Sequence, residues 1–179
     1  MKKLYLWFYC LKFTDVALLI LVGTVFFAWL QWKYGSRRFW KPGLGAALLL
    51  WLLAVVWSTL LSRGAEPMSE PASWMPLHSY WAVLHGANIE LLRANFMNVV
   101  LLYPAGLLAA SLLPQRKKQL QTAAGIAAIF FLLSLCIELW QYRFALGYPE
   151  TDDILHNTLG AFLGAWAAKL TRQFHKIMD

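Results

Sequence analysis

Between Arg93 and Arg116 the chain reads ANFMNVVLLYPAGLLAASLLPQ, residues 94–115: 22 positions without a charge, opening on two asparagines and carrying a proline near the middle. A helix of roughly 20 mostly apolar residues crosses a hydrocarbon layer about 30 Å thick, so this stretch reads as a membrane span. Four further charge-free stretches surround it, at residues 16–32 (17 residues), 42–62 (21), 119–137 (19) and 154–168 (15). In lipid every backbone polar group must be satisfied internally, which leaves helices as the natural form for segments of this length. The pattern predicts an all-α, polytopic transmembrane helix bundle of about five spans. The last stretch rises only about 22 Å as a helix, so Asp152 and Asp153 at one end and Lys169 at the other belong at or just within the interfaces.

Composition agrees. Of 179 residues, 60% are hydrophobic and 14% charged, and ten are tryptophan, whereas a soluble domain is nearer half apolar and a quarter charged. The net charge of +7 does not point to nucleic acid, because the basic residues sit in short clusters between apolar runs, as membrane proteins place them. Cys10 and Cys136 allow no disulfide framework and read as packing residues. Residues 1–12 form an interfacial segment leading into an uncleaved first span, since Lys12 and Asp15 interrupt any signal-peptide pattern. The chain divides into residues 1–41, holding that segment, the first span and a basic loop, and residues 42–179, a four-helix core with an extracytoplasmic loop at 63–93. Within that loop Trp74, Leu77, Trp81 and Leu84 recur at helical spacing. The stripe fits either an amphipathic surface helix or a hydrophobic loop packed over the span ends.

Lysine and arginine counts set the orientation. With five spans, one side carries ten of these residues and the other six. The richer side, with loops 33–41 and 114–119 and the C-terminus, is expected to be cytoplasmic.

The polar residues inside the spans converge on one depth. Asn95 and Asn98 open the third span, Glu138 and Gln141 end the fourth as IELWQ, and Asp153 and Asn157 open the fifth in DDILHNTLG. Residues three or four apart share a helical face. Three helices therefore bring Asn98, Glu138, Gln141, Asp153 and Asn157 to the outer-leaflet end of the bundle, with Arg143 close enough in sequence to supply a positive charge. Ionisable residues within a span are functional candidates, because a carboxylate at that depth needs a partner. Helix-to-helix hydrogen bonding alone is the plainer explanation. Gly160 and Gly164 form a GxxxG pair whose simplest use is tight packing within the monomer. Pro104, shortly before Gly106, leaves the carbonyl of Val100 without its usual donor, which either shapes packing or opens a lateral groove below the polar cluster. No metal-binding pattern, nucleophile elbow or phosphate loop accompanies these residues, so neither a metal nor a cofactor is expected.

The strings NVVLLYPAGLL (98–108), IELWQ (137–141) and TDDILHNTLGAFLG (151–164), in that order and spacing, resemble the VanZ-like family of small bacterial membrane proteins. The resemblance falls on Asn98, Pro104, Gly106, Glu138, Gln141, Asp153, Asn157 and Gly160, and it sets the first span apart as an addition to a four-helix core. The family often has an arginine six residues before the aspartate. Gly147 stands there in this chain, so the cation of the cluster is either Arg143, acting from a different position, or absent. The resemblance implies the cytoplasmic membrane of a bacterium, the cell envelope and a link to resistance against the lipoglycopeptide antibiotic teicoplanin.

Two functions fit these residues. In the first, the cluster binds the headgroup of a membrane lipid, a lipid-linked cell-wall precursor or a lipoglycopeptide, since carboxylates and amides together accept and donate hydrogen bonds. In the second, the protein is an intramembrane lipid- or precursor-modifying enzyme, with Glu138 as general acid or base and Asp153 as its charged partner. A proton-coupled transporter ranks third. Binding ranks first because no nucleophile or metal set is identifiable, and the oligomeric state is left open.

Overall fold

The computed structural model describes residues 13–64, 73–114 and 119–178. Cys10 and the expected interfacial segment lie outside that range, as do residues 65–72 and 115–118 of loops 63–93 and 114–119. The elements are α1 (Phe13–Tyr34), α2 (Trp40–Val56) running into a π-helical segment (Trp57–Leu61), α3 (His78–Leu84), α4 (Glu90–Leu112), α5 (Gln119–Phe144) and α6 (Thr151–Met178). Four stretches are long and apolar enough to cross a membrane: Thr14–Tyr34, Trp40–Leu61, Glu90–Leu112 and Gln119–Phe144. Their outer faces expose Leu18, Leu19, Leu49, Leu50, Ile129 and Leu132. So much exposed hydrocarbon belongs in lipid, because in water it would drive aggregation.

The fifth long helix, α6, has charges at both ends and a short apolar middle, and lies against α4. Small residues set that contact. A side-chain carbon added at Gly160 would come within 2.0 Å of the Val99 carbonyl oxygen, at Gly164 within 2.0 Å of the Tyr103 carbonyl oxygen, and at Gly106 within 2.0 Å of the Ala161 carbonyl oxygen. The two backbones thus touch directly, as small-xxx-small surfaces allow in membranes where no hydrophobic force drives helices together. Both partners ascend in number along the contact, so α4 and α6 run parallel. The GxxxG pair packs the monomer, as its sequence suggests.

Polar ties reinforce the bundle. Arg172 of α6 donates to the carbonyls of Ala110 and Leu113 (3.1 Å to the latter), satisfying orphan acceptors at the C-terminal end of α4. The Thr24 and Tyr103 hydroxyls meet at 2.8 Å, and the Thr171 hydroxyl donates to Gln31 at 3.0 Å. α4 continues as one helix through Pro104. Trp51 Nε1 donates to the carbonyl of Leu101 at 2.9 Å, beside the acceptor that the proline frees. An apolar cleft of about 360 Å³ opens at Pro104 between α1 and α4, bordered by Gly23, Phe27, Val100 and Leu107.

The connector before α3 is strapped to the one before α6. The Ser73 amide donates to the Pro149 carbonyl, and the Thr151 amide donates to the Ser73 carbonyl, both at 3.0 Å. α3 follows, a two-turn helix that exposes Trp81 and Leu84, while Trp74 and Leu77 are exposed in the connector before it. The stripe is therefore split: Leu77 takes a left-handed conformation at the helix start, and Trp74, before it, meets the Tyr142 ring near the end of α5 with 5.9 Å between centroids.

Candidate functional site

Two adjacent aspartates open α6, where the positive end of the helix dipole favours them. One helical step rotates a side chain by about 100°, and the pair divides accordingly. Asp152 turns to the connector: its carboxylate accepts from the amides of Leu77 (2.5 Å) and Ser79 (2.8 Å) and from the Ser79 hydroxyl (2.5 Å). It is a buried clamp that satisfies the first turn of α3. Leu77, at φ +61°, gives the chain the turn that makes this reach possible. Asp153 turns to α4 and accepts from Asn98 Nδ2 at 2.6 Å.

Glu138, near the end of α5, is only 2% exposed. Its Oε2 accepts from the Glu150 amide at 3.1 Å, which draws the α5–α6 connector over the end of the bundle. The charge of Asp153 acts on Glu138, and the positive charge of Arg63 acts on both. One turn deeper, Asn157 donates to the Ser134 hydroxyl at 2.8 Å. Its Oδ1 is buried without a partner, as is Nδ2 of Asn95, whose Oδ1 is 3.5 Å from the Ser79 hydroxyl. Buried polar atoms of this kind are uncommon in folded proteins, and each marks unused hydrogen-bonding capacity at the cluster.

Of the residues expected in the cluster, Asn98, Glu138 and Asp153 come together, with Asn157 below them. Gln141 is buried but directed elsewhere: its amide donates to the Thr59 carbonyl at 3.0 Å. That acceptor lies in the π-helical segment, where the wider turn disturbs the regular backbone ladder. Gln141 thus ties α5 to α2. Arg143 is exposed and lies over the Phe144 ring, 5.6 Å from its centroid, one turn beyond the cluster. Pro104, Gly106, Gly160 and Gly164 shape the contact among the helices below the cluster and touch none of its polar groups.

The guanidinium near the carboxyls belongs to Arg63, the residue that ends the second charge-free stretch. Its Nη1 is 3.5 Å from the Leu146 carbonyl and 2.7 Å from the place a side-chain carbon on Gly147 would take. Gly147 has φ +147°, a backbone conformation that L side chains rarely adopt. The glycine thus makes room for an arginine from the stretch that follows the π-helical segment. Ser134 is the other member that the sequence does not single out, and Asn95 and Asp152, legible as polar residues at the span ends, join it beside the cluster. Nearby, His156 Nδ1 meets the Asp152 carbonyl at 2.5 Å and its Nε2 meets the Tyr80 hydroxyl at 2.7 Å.

Comparison with curated proteins and with solved structures gives no match. A family model does match, and its extent is wider than the motifs alone, taking in α1 together with every residue of the cluster. That model is described as VanZ/LLP1 and matches residues 16–172, so the chain belongs to the VanZ/LLP1 family.

Proposed function

We propose that this membrane protein binds the headgroup of a membrane lipid or of a lipid-linked envelope molecule, a precursor or a lipoglycopeptide, at the end of the bundle where Asn98, Glu138 and Asp153 meet. The observation that carries this reading is the Asn98–Asp153 hydrogen bond beside the buried Glu138. Two carboxyls and an amide from three helices share one level, with unsatisfied amide atoms on Asn95 and Asn157 close by. Such a group accepts from an ammonium or from sugar hydroxyls and donates to their oxygens.

Lipids retained by the detergent-purified protein and identified by native mass spectrometry test this. Asp153→Ala removes a hydrogen-bonding carboxyl, and such bonds are worth about 1.5–3 kcal/mol. Occupancy of the retained lipid is expected to fall about tenfold or more. Equal retention by both proteins would refute a headgroup site. Glu138→Gln keeps shape and hydrogen bonding but exchanges no proton, so binding predicts near-normal retention and cellular phenotype with Gln and loss with Ala. An enzyme using Glu138 as acid or base would lose activity with both.

The proposed setting is a bacterial cytoplasmic membrane, with the cluster at the outer leaflet and the basic loops inside. In a background lacking Cys10 and Cys136, Gly64→Cys is expected to react with a membrane-impermeant maleimide in intact cells, and Ser36→Cys only after permeabilisation. The opposite pattern would invert the orientation.

A further inference from the structure

Arg63 lies beside the carboxyls without pairing to them. Its charge acts on Glu138 and on Asp153, yet no ion pair within 4.0 Å joins it to either. Among the described residues the ion pair is Arg93–Glu90, at 3.5 Å. An arginine carries five N–H donors in a planar fork, and Arg63 offers one of them, at the long distance of 3.5 Å, to the Leu146 carbonyl. The side chain is exposed at the mouth of the cluster, held there by the space at Gly147. The carboxyls on which its charge acts are Glu138 of α5 and Asp153 of α6, whereas Asp152 is consumed by its three donors.

The arrangement has one cationic fork and a separate pair of acids, with no ion pair within 4.0 Å between them. A ligand bearing only a positive charge would leave the fork facing its own carboxyls, and one bearing only a negative charge would face those carboxyls itself. Guanidinium forks match phosphate geometry bidentately, and carboxylates suit an ammonium.

We propose that the ligand is zwitterionic, a phosphate-ammonium headgroup of the phosphoethanolamine class, with its phosphate on Arg63 and its ammonium against Glu138 and Asp153. This rests on the headgroup reading above and names the chemistry of the same site.

The test offers the full-length protein, purified in detergent, three lipids of equal chain length: phosphatidylethanolamine, phosphatidylglycerol, which has the phosphate without the ammonium, and a glucosyl diacylglycerol, which has neither. Wild type is expected to retain the ethanolamine lipid about tenfold more than either of the others by native mass spectrometry. Arg63→Gln should abolish the preference over the glycolipid, and Asp153→Asn the preference over phosphatidylglycerol. Arg63→Lys, which keeps the charge and loses the fork, should retain about a third of the preference over the glycolipid, and it stands in if Arg63→Gln does not fold. A wild type without preference for the zwitterion, or an unchanged preference in both Arg63 variants, overturns the proposal. If Asp153→Asn alters retention while the Arg63 variants do not, the assignment of Arg63 alone is wrong. If none of the variants alters retention, the headgroup reading falls with it.

Discussion

Gly160→Ala is expected to disrupt the bundle by about 3 kcal/mol or more, the upper end of what overpacking costs. The new methyl would lie 2.0 Å from the Val99 carbonyl oxygen and 2.8 Å from its carbonyl carbon. Both are backbone atoms, so no side-chain rotation relieves the collision and α4 and α6 must separate. Separation breaks the same contact at Gly106 and Gly164, because the three glycines interlock along one seam. Gly125→Ala is the control. It lies on the exposed face of α5 with nothing within 4 Å of the added carbon, and alanine exceeds glycine in helix propensity by about 1 kcal/mol. Unfolding midpoints in graded mixtures of mild detergent and dodecyl sulfate should move down for Gly160→Ala and stay level or rise for Gly125→Ala. Equal midpoints for wild type and Gly160→Ala would mean that the α4–α6 seam is not as close as described.

The second large effect is expected at Asp152. Replacing it with alanine removes the acceptor for two amides and one hydroxyl at the start of α3 and leaves those donors buried. Hydrogen bonds to a charged acceptor contribute about 1.5–3 kcal/mol, and an unmet buried donor carries its own cost. The loss should be local, because α3 and its connector are fastened to the bundle through this carboxylate, through Ser73 and through the Tyr80 hydroxyl on His156. Amide exchange at Ser79 is therefore expected to accelerate about 100-fold, equivalent to about 2.8 kcal/mol, while amides in the middle of α4 and α6 keep their protection. Asp152→Asn retains one acceptor oxygen and should fall between. Unchanged exchange at Ser79 in Asp152→Ala would show that α3 is held by something else.

Much of this architecture is legible in the residues. Charge spacing alone locates the spans, because the hydrocarbon layer tolerates few ions and has a known thickness. The level shared by Asn98, Glu138 and Asp153 follows from counting residues inward from each interface. Direction around a helix is harder. Glu138 and Gln141 are three apart and on one face, yet Glu138 reaches the connector at Glu150 and Gln141 reaches Thr59, since the face is wide enough to touch two neighbours. Asp152 and Asp153 are indistinguishable in sequence until α3 is placed beside one of them. Arg63 was the hardest to see. It is 75 residues from Glu138 and 90 from Asp153 along the chain, and only the fold shows that the bare backbone of Gly147 receives it. Arg143, adjacent in sequence to the Glu138 motif, emerges one turn too far along α5.

The register of α6 on α4 is pinned at both extremities, by Asp153 with Asn98 at one and by Arg172 with the Ala110 and Leu113 carbonyls at the other. Between these bolts the backbones touch, so the pair can neither slide nor twist without breaking several contacts together. Whatever breathing admits a molecule to the cluster is expected instead at the seam between α2 and α5. There a widened helical turn and one amide hydrogen bond, Gln141 to Thr59, join the two helices, and Arg63 lies two residues beyond that turn.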